Sequence, residues 1–200
     1  MKQGRFIVFE GIDGAGKSTQ IAKLTAALSA MGRQIHTTAE PTDGVTGRML
    51  RAALAGKEER SPAEMAALFV LDRIYHNKEI AAALAQGKDV ICDRYYYSSL
   101  AYQGSLCDYE WVRSMNCDCP DIRTPDLCVF LDLSPKAALS RIAARGEATE
   151  IYEKEETLSL FRATFMRVFE SLSDRVAIID AAGTADEVAQ AVLGAVQEVL

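Results

Sequence analysis

The sequence predicts an α/β fold in which helices flank a parallel sheet of five strands. The first observation is that short apolar segments alternate with longer helical patterns, as they do in consecutive βα units. The second is that several of the strand segments are continuously apolar and β-branched, which is typical of strands covered on both faces. Ligands of such sheets bind beyond the carboxyl ends of the strands, so we expect the functional residues there.

The predicted elements follow one another without a linker or an internal repeat. The clearest boundary is Ser61-Pro62-Ala63-Glu64, with serine as N-cap, proline in the first turn and glutamate three residues after the cap. The predicted strands are Arg5–Glu10, Gln34–Ala39, Asp89–Cys92, Leu127–Asp132 and Val176–Asp180. The predicted helices are Lys17–Met31, Val45–Ala55, Ser61–Gln86, Pro135–Arg145, Glu155–Leu172 and Thr184–Leu200.

The length of 200 residues and the composition favour one domain over residues 1–200. The net charge of −6 argues against a nucleic-acid partner, since such proteins present lysine and arginine to phosphates. No apolar run approaches the ~18 residues of a membrane span, and the first apolar stretch is too short for a signal peptide. We therefore expect a cytoplasmic protein without a membrane partner. The five cysteines lack zinc-ligand spacing and are expected to be reduced thiols.

A phosphate-binding loop is predicted directly after the first strand. Gly11 to Ser18 read GIDGAGKS and match the pattern G-x-x-x-x-G-K-[ST], with a strand before and a helix after. The glycines let backbone N–H groups surround phosphate oxygens, and the helix N-terminus adds partial positive charge. We expect Lys17 to bind the β- and γ-phosphates and Ser18 to ligate Mg²⁺. The predicted ATP-binding residues in this region are Gly11, Asp13, Gly14, Ala15, Gly16, Lys17, Ser18 and Thr19.

A second anion site is predicted at the end of the third strand, where Asp93 and Arg94 stand together. Asp93 can support a Mg²⁺ shell and Arg94 can bind a phosphate through two hydrogen bonds, although a purely structural Asp–Arg pair is the alternative. Phe69 and Arg73 share a helix face at a spacing of four residues. The spacing alone does not decide whether Phe69 belongs to the core or stacks on a base beside a hydrogen-bonding Arg73.

Six segments carry a resemblance to the thymidylate kinase family. In chain order they are FEGIDGAGKST, EP after the second strand, LFVLDR, DRYYYSSLAYQG, PDLCVFLDLSP and VAIIDA. The resemblance extends from Phe6 to about Ala182. It implies a three-layer P-loop kinase fold, ATP and dTMP as substrates, Mg²⁺ as cofactor, and a homodimer.

The resemblance also implies a dTMP site. Phe69 would stack on thymine, and Arg73 would bond the thymine carbonyl edge. Tyr102 would pack under the deoxyribose, where a 2′-hydroxyl would collide with it. Arg94 and Arg51 would hold the dTMP phosphate, Asp13 would face the sugar, and Ser99 would lie near the base edge. Glu40 and Gln103 complete the implied substrate residues.

The chain departs from the family at the catalytic arginine. Family members carry it either in the P-loop, where this chain has Gly14, or in the lid, where the aligned residue is Ile151. Our hypothesis is that Arg145 supplies this charge, with Arg141 over adenine and a lid at about residues 141–155; the alternative is that both are solvated arginines on a helix surface. The predicted catalytic residues are then Lys17, Asp93, Arg94 and Arg145, and the predicted metal ligands are Ser18 and Asp93.

Other functions of a P-loop protein remain as alternatives. A guanine-specific switch has little support, because Asn77-Lys78 continues as Glu79-Ile80 and the aspartate of N-K-x-D is missing. A different P-loop nucleoside or nucleotide kinase is the nearest alternative, although a nucleoside kinase has no acceptor phosphate for Arg94 and Arg51 to bind. A non-catalytic, nucleotide-gated interaction module is the third, and it would bind ATP without phosphorylating dTMP.

Overall fold

The computed structural model describes residues 4–145 and 154–200, and within that part of the chain it contains one all-parallel sheet of five strands. The spatial order is β2-β3-β1-β4-β5, with helices packed around the sheet. This arrangement confirms the predicted fold class. The strands are β1 Phe6–Glu10, β2 Ile35–Ala39, β3 Asp89–Asp93, β4 Leu127–Asp132 and β5 Val176–Asp180. The helices are α1 Lys17–Ala30, α2 Val45–Leu54, α3 Pro62–Ala85, α4 Tyr96–Tyr102, α5 Tyr109–Cys117, α6 Pro135–Arg145, α7 Glu155–Ser171 and α8 Ala185–Gln197.

Burial differs between the centre and the edges of the sheet. All five residues of β1 are buried, and so are nearly all residues of its neighbours β3 and β4. The edge strands β2 and β5 have no fully buried residue. The continuously apolar strands of the sequence are therefore the central ones, where helices cover both faces.

Every strand and helix predicted from the sequence is present, with ends that differ by at most three residues. The predicted start of α3 is confirmed in atomic detail. The backbone N–H of Glu64 donates to the Ser61 hydroxyl at 3.2 Å, and the Ser61 N–H donates to the Glu64 carboxylate at 2.8 Å. This reciprocal cap fixes where α3 begins, and α3 carries Phe69 and Arg73.

Two helices, α4 and α5, were not predicted. All seven residues of α4 are buried, so its sequence YYSSLAY lacks the apolar–polar alternation that marks a surface helix. Helix α5 lies in the segment Cys107–Cys119 and begins at Asp108, whose carboxylate accepts the Trp111 N–H at 2.8 Å. That aspartate was the available signal for α5. Among the described helices, none is both long and apolar enough to cross a lipid bilayer.

Acidic residues gather at the carboxyl edge of the sheet. Glu10, Asp93 and Asp132 are the last residues of β1, β3 and β4, and Glu40 comes directly after β2. Glu10 and Glu40 are almost fully buried, at 0% and 5% exposure. Buried carboxylates need hydrogen-bond donors or cations beside them, so this edge is where the polar chemistry of the molecule must lie.

Candidate active site

The P-loop connects β1 to α1 and fits tightly against α6. Gly14 has a φ of 81° and Gly16 a φ of 95°, a conformation that favours glycine. A Cβ atom at Gly14 would lie 2.5 Å from the carbonyl oxygen of Ala138 on α6. An arginine at position 14, where some family members carry one, would therefore collide with the α6 backbone.

Lys17 begins α1 and is buried within the loop it follows. Its ammonium donates to the Gly11 carbonyl oxygen at 3.2 Å and lies 3.9 Å from the Asp13 carboxylate. Burial lowers the pKa of Lys17 and the charge of Arg94 lowers it further, whereas Asp93 and Asp13 oppose the shift. An ammonium so placed gains most from an additional anion such as a phosphate group.

Arg94 links the P-loop to the end of β3. Its guanidinium forms an ion pair with Asp13 and donates to the hydroxyls of Ser98 at 3.0 Å and Tyr102 at 3.4 Å. The Arg94 backbone has a φ of 67°, which is uncommon for a residue other than glycine, and residues in such strained conformations cluster at functional sites. Burial raises the pKa of Tyr102 to about 12 although Arg94 opposes this, so the Tyr102 hydroxyl remains protonated beside the cation.

Glu10, the last residue of β1, holds the N-terminal end of α4 in place. Its carboxylate accepts hydrogen bonds from the backbone N–H groups of Tyr95 at 2.9 Å and Ser98 at 3.1 Å, and from the Ser98 hydroxyl at 2.7 Å. Burial raises the pKa of Glu10, with Arg94 and Ser98 opposing. Sequence reasoning missed this residue, and the available signal was an acidic residue ending a strand that is otherwise apolar.

Asp93 fits the predicted role of a residue near a divalent cation. Its Oδ1 atom is buried and has no hydrogen-bond partner in the described part of the chain. The carboxylate acts electrostatically on Lys17, and Ser18 at the start of α1 is exposed. Mg²⁺ is usually held by one or two protein oxygens together with substrate phosphates and water, so a carboxylate and a hydroxyl beside a P-loop are a suitable donor set.

A cavity of about 740 Å³ opens beside the P-loop. Its walls include Lys57, Tyr95 and Ser98, which were outside the predicted site, and Arg48, which with Arg51 is one of the basic residues after the second strand where an acceptor phosphate was expected. Phe69 is only partly buried and contributes to the cavity wall, which favours base stacking over the core-only alternative. Eight of the nine predicted substrate residues line this cavity, namely Asp13, Glu40, Arg51, Phe69, Arg73, Arg94, Tyr102 and Gln103. Their individual roles stay predictions.

Arg73 lies in the wall of the cavity with only 1% of its surface exposed. Its Nε and Nη2 atoms donate to Glu40 Oε2 at 2.8 and 2.6 Å, and Nη1 donates to Asn116 Oδ1 on α5. Both Nη atoms also donate to the hydroxyl of Ser99 at 3.2 Å. Ser99, the ninth predicted substrate residue, thus stands behind the cavity wall and contacts Arg73.

The loop after β2 is fastened to α3 through Asp72. The Asp72 carboxylate accepts the Thr42 backbone N–H at 2.8 Å and the hydroxyls of Thr42 and Thr46 at 2.7 Å each. The loop and the start of α2 are thereby held against α3. Arg51 on α2 donates to the Pro41 carbonyl oxygen at 2.7 Å and pairs with Asp43 at 2.8 Å. One exposed ion pair of this kind is weak, so Arg51 is able to exchange it for a phosphate.

Arg141 on α6 joins the P-loop to the chain after β5. Its guanidinium donates to the carbonyl oxygens of Ala15 at 3.4 Å and Ala181 at 2.8 Å. This position lies beside the loop expected to hold ATP phosphates, and a role at adenine stays a prediction. The side chain of Arg145 and most of the predicted lid fall outside the described residues.

Comparison with known proteins decides the family. A family model described as thymidylate kinase matches residues 9–192. The chain belongs to the thymidylate kinase family. Similar relatives include the thymidylate kinase of Solidesulfovibrio magneticus, 38% identical over 98% of this chain and 100% of the relative. The thymidylate kinase of Akkermansia muciniphila is 44% identical over 84% of this chain and 80% of its own length. Thymidylate kinase membership supports a phosphotransferase acting on nucleotides and disfavours the non-catalytic alternative.

Proposed function

We propose that this chain, acting as one domain over residues 1–200, transfers the γ-phosphoryl group of ATP to dTMP and forms dTDP and ADP. The observation that carries the proposal is the contact of Arg94 with Asp13, because both residues line the acceptor cavity and Asp13 belongs to the P-loop. A donor phosphate on the loop and an acceptor phosphate at Arg94 would then meet at one place. Phosphoryl transfer requires chiefly such positioning and charge neutralisation.

Each side of the site has a defined task in this reaction. The N–H groups of the P-loop and the Lys17 ammonium hold the β- and γ-phosphates of ATP, while Arg94 and Arg51 hold the acceptor phosphate. Ser18 and Asp93 would hold Mg²⁺, which neutralises phosphate charge when it is bound. Phe69 stacks on the thymine ring, and the face of Tyr102 excludes a 2′-hydroxyl from the sugar position.

A coupled assay that follows ADP formation tests the function directly. With ATP and Mg²⁺ we expect turnover with dTMP, none with thymidine, and a kcat/KM for dUMP at least about tenfold lower, since one methyl group in an apolar pocket is worth roughly 1–3 kcal/mol. The reaction without acceptor is the control. Absence of dTMP-dependent ADP contradicts the proposed activity, and equal kcat/KM for dUMP and dTMP contradicts the pocket assignment.

We propose Arg145 as the arginine that neutralises transition-state charge. A side chain at position 14 would collide with α6, which is a reason for the P-loop to lack the catalytic arginine. Helix α6 ends at Arg145. Arg145→Ala is expected to lower kcat by about 10³-fold or more at unchanged KM for dTMP. Lys136→Ala, which alters an exposed cation on the same helix, is the control and should leave kcat unchanged. A kcat of Arg145→Ala within about threefold of the parent contradicts the assignment.

A homodimer in the cytoplasm is also part of the proposal. Its support is the family membership together with two large apolar side chains on one face of α3, Leu71 and Tyr75, which are 42% and 58% exposed. These residues are four apart and lie one turn from each other on that helix. Light scattering during gel filtration measures the mass, and a monomer at enzyme concentrations contradicts this part.

A further inference from the structure

Two buried side chains, Glu40 and His76, stand behind the guanidinium of Arg73. Glu40 Oε2 accepts from Arg73, while Glu40 Oε1 lies 2.9 Å from His76 Nδ1. On its other side, His76 Nε2 lies 2.7 Å from the Thr38 hydroxyl on β2. His76 is 2% exposed and Glu40 is 5% exposed. The four side chains form a continuous series from β2 to the cavity wall.

The chemistry of the partners fixes the direction of these hydrogen bonds. An ionised carboxylate only accepts, so the His76 hydrogen facing Glu40 resides on Nδ1. The ring is anchored at both nitrogens and cannot rotate without losing a buried hydrogen bond. Glu40 is therefore held at one oxygen by His76 and at the other by Arg73, and its carboxylate plane is fixed.

The contacts of Arg73 differ in strength on its two sides. The bonds to Glu40 are short and join opposite charges, and Nη1 also donates to Asn116 Oδ1, whereas the single Ser99 hydroxyl receives two longer bonds of 3.2 Å from both Nη atoms. A carbonyl oxygen of a ligand would most readily replace the Ser99 contact. The orientation of the N–H groups offered to that carbonyl would then be set by the two bonds to Glu40 together with the bond from Nη1 to Asn116.

We propose that His76 is a positioning residue for pyrimidine recognition, which it controls through Glu40 and Arg73. The inference rests on the proposed function, in which Arg73 bonds the carbonyl edge of the base. His76 touches neither base nor phosphate in this scheme. It supplies the hydrogen-bond donor that fixes the Glu40 carboxylate, and its loss would let Glu40 rotate and loosen the hold on Nε and Nη2, with Asn116 still holding Nη1.

Three variants separate positioning from general stability. His76→Phe keeps a ring but removes both hydrogen bonds, and His76→Asn restores a donor at nearly the place of Nδ1. His36→Phe is the matched control, because His36 on β2 also links β2 to α3, where its Nε2 lies 2.8 Å from the exposed Glu79 carboxylate. Comparing His76→Phe with His36→Phe shows the effect of the same substitution with and without a connection to Arg73.

The kinetic expectation is a change in KM with little change in kcat. His76→Phe should raise KM for dTMP by about tenfold, the effect of one hydrogen bond to a charged group, with kcat within about threefold and KM for ATP unchanged. His76→Asn should recover most of the loss, and His36→Phe should match the parent. An equal effect of His36→Phe and His76→Phe, or an unchanged KM for dTMP, overturns the proposal.

A substrate analogue tests whether the loss passes through Arg73. The 2′-deoxynucleotide of 5-methylpyrimidin-2-one keeps the methyl group of dTMP but lacks the 4-carbonyl oxygen that Arg73 would bond. In the parent we expect dTMP to be preferred over this analogue by about tenfold or more. In His76→Phe the preference should largely disappear, because the lost contact is the one the analogue never makes. Equal losses for both substrates would indicate a merely structural role and overturn the proposal.

A measurement without turnover separates this inference from the proposed function. The Arg73 Nε–H, buried against Glu40, should exchange with solvent by NMR at least about tenfold faster in His76→Phe than in the parent or in His36→Phe. Unchanged exchange overturns the positioning role. Accelerated exchange together with no dTMP turnover by the parent keeps the link from His76 to Arg73, but contradicts the proposed activity and with it the role in base recognition.

Discussion

Replacing Lys17 by methionine is expected to lower kcat for dTMP phosphorylation by about 10³-fold, or about 4 kcal/mol of transition-state stabilisation, with KM for dTMP within about threefold. Lys17 is the cation that the P-loop itself presents to the transferred phosphoryl group. Methionine has a similar length and no charge. Steady-state kinetics at saturating ATP measure the effect, and Lys23→Met on the exposed side of α1 is the matched control.

The same variant should not lower the thermal stability. Lys17 is buried, and burial lowers its pKa, so the folded protein bears the cost of holding this ammonium away from water. A methionine removes that cost and the opposing attraction of Asp13 and Asp93. A loss of kcat accompanied by a large decrease in Tm would indicate that Lys17 acts mainly in folding, and a kcat close to that of the parent would contradict the assignment of the P-loop to ATP.

The parts of the site that follow from local sequence were predictable. The P-loop is one continuous segment of the chain. Its backbone conformation has positive φ angles that require glycine, so the glycine spacing can be recognised in the sequence. The central strands were predictable because β1 and β4 are apolar up to their last residue, which is typical of strands covered on both faces. Asp93 and Arg94 were found because the end of a parallel strand has a known place relative to ligands.

The hydrogen bonds that hold the site residues in place were not predictable, because the bonded residues are far apart along the chain. Arg73 and Asn116 are separated by 43 residues, and Glu10 and Ser98 by 88. A single sequence contains no signal that pairs such residues. Helix α4 was missed for a related reason, since its complete burial removes the periodic pattern from which a helix is recognised. The close approach of α6 to Gly14 likewise depends on packing between distant segments.

Removing the guanidinium of Arg94 is expected to abolish most of the activity, because the acceptor phosphate of dTMP loses its binding partner. Arg94→Met should lower kcat/KM for dTMP by about 10³-fold, since truncating one partner of a desolvated charge pair costs roughly 2–5 kcal/mol. The Kd for ATP should change by less than about threefold, because Lys17 and the loop N–H groups remain. Kinetics with varied dTMP, together with ATP binding by calorimetry, measure both quantities.

Arg94→Lys shows whether charge or geometry matters at this position. Lysine and methionine must both adopt the φ of 67° found at Arg94, so they bear the same backbone strain and differ in the presence of a hydrogen-bonding cation. Lysine retains the cation but lacks the planar fork that contacts Asp13 and Ser98 at once. We expect Arg94→Lys to recover only about tenfold of the loss, and Arg113→Met, at a half-buried arginine on α5 that is outside the predicted site, to match the parent. Full recovery by lysine would mean that Arg94 acts as a simple positive charge. It would contradict the proposal that the planar guanidinium binds Asp13 of the P-loop and the acceptor phosphate at the same time.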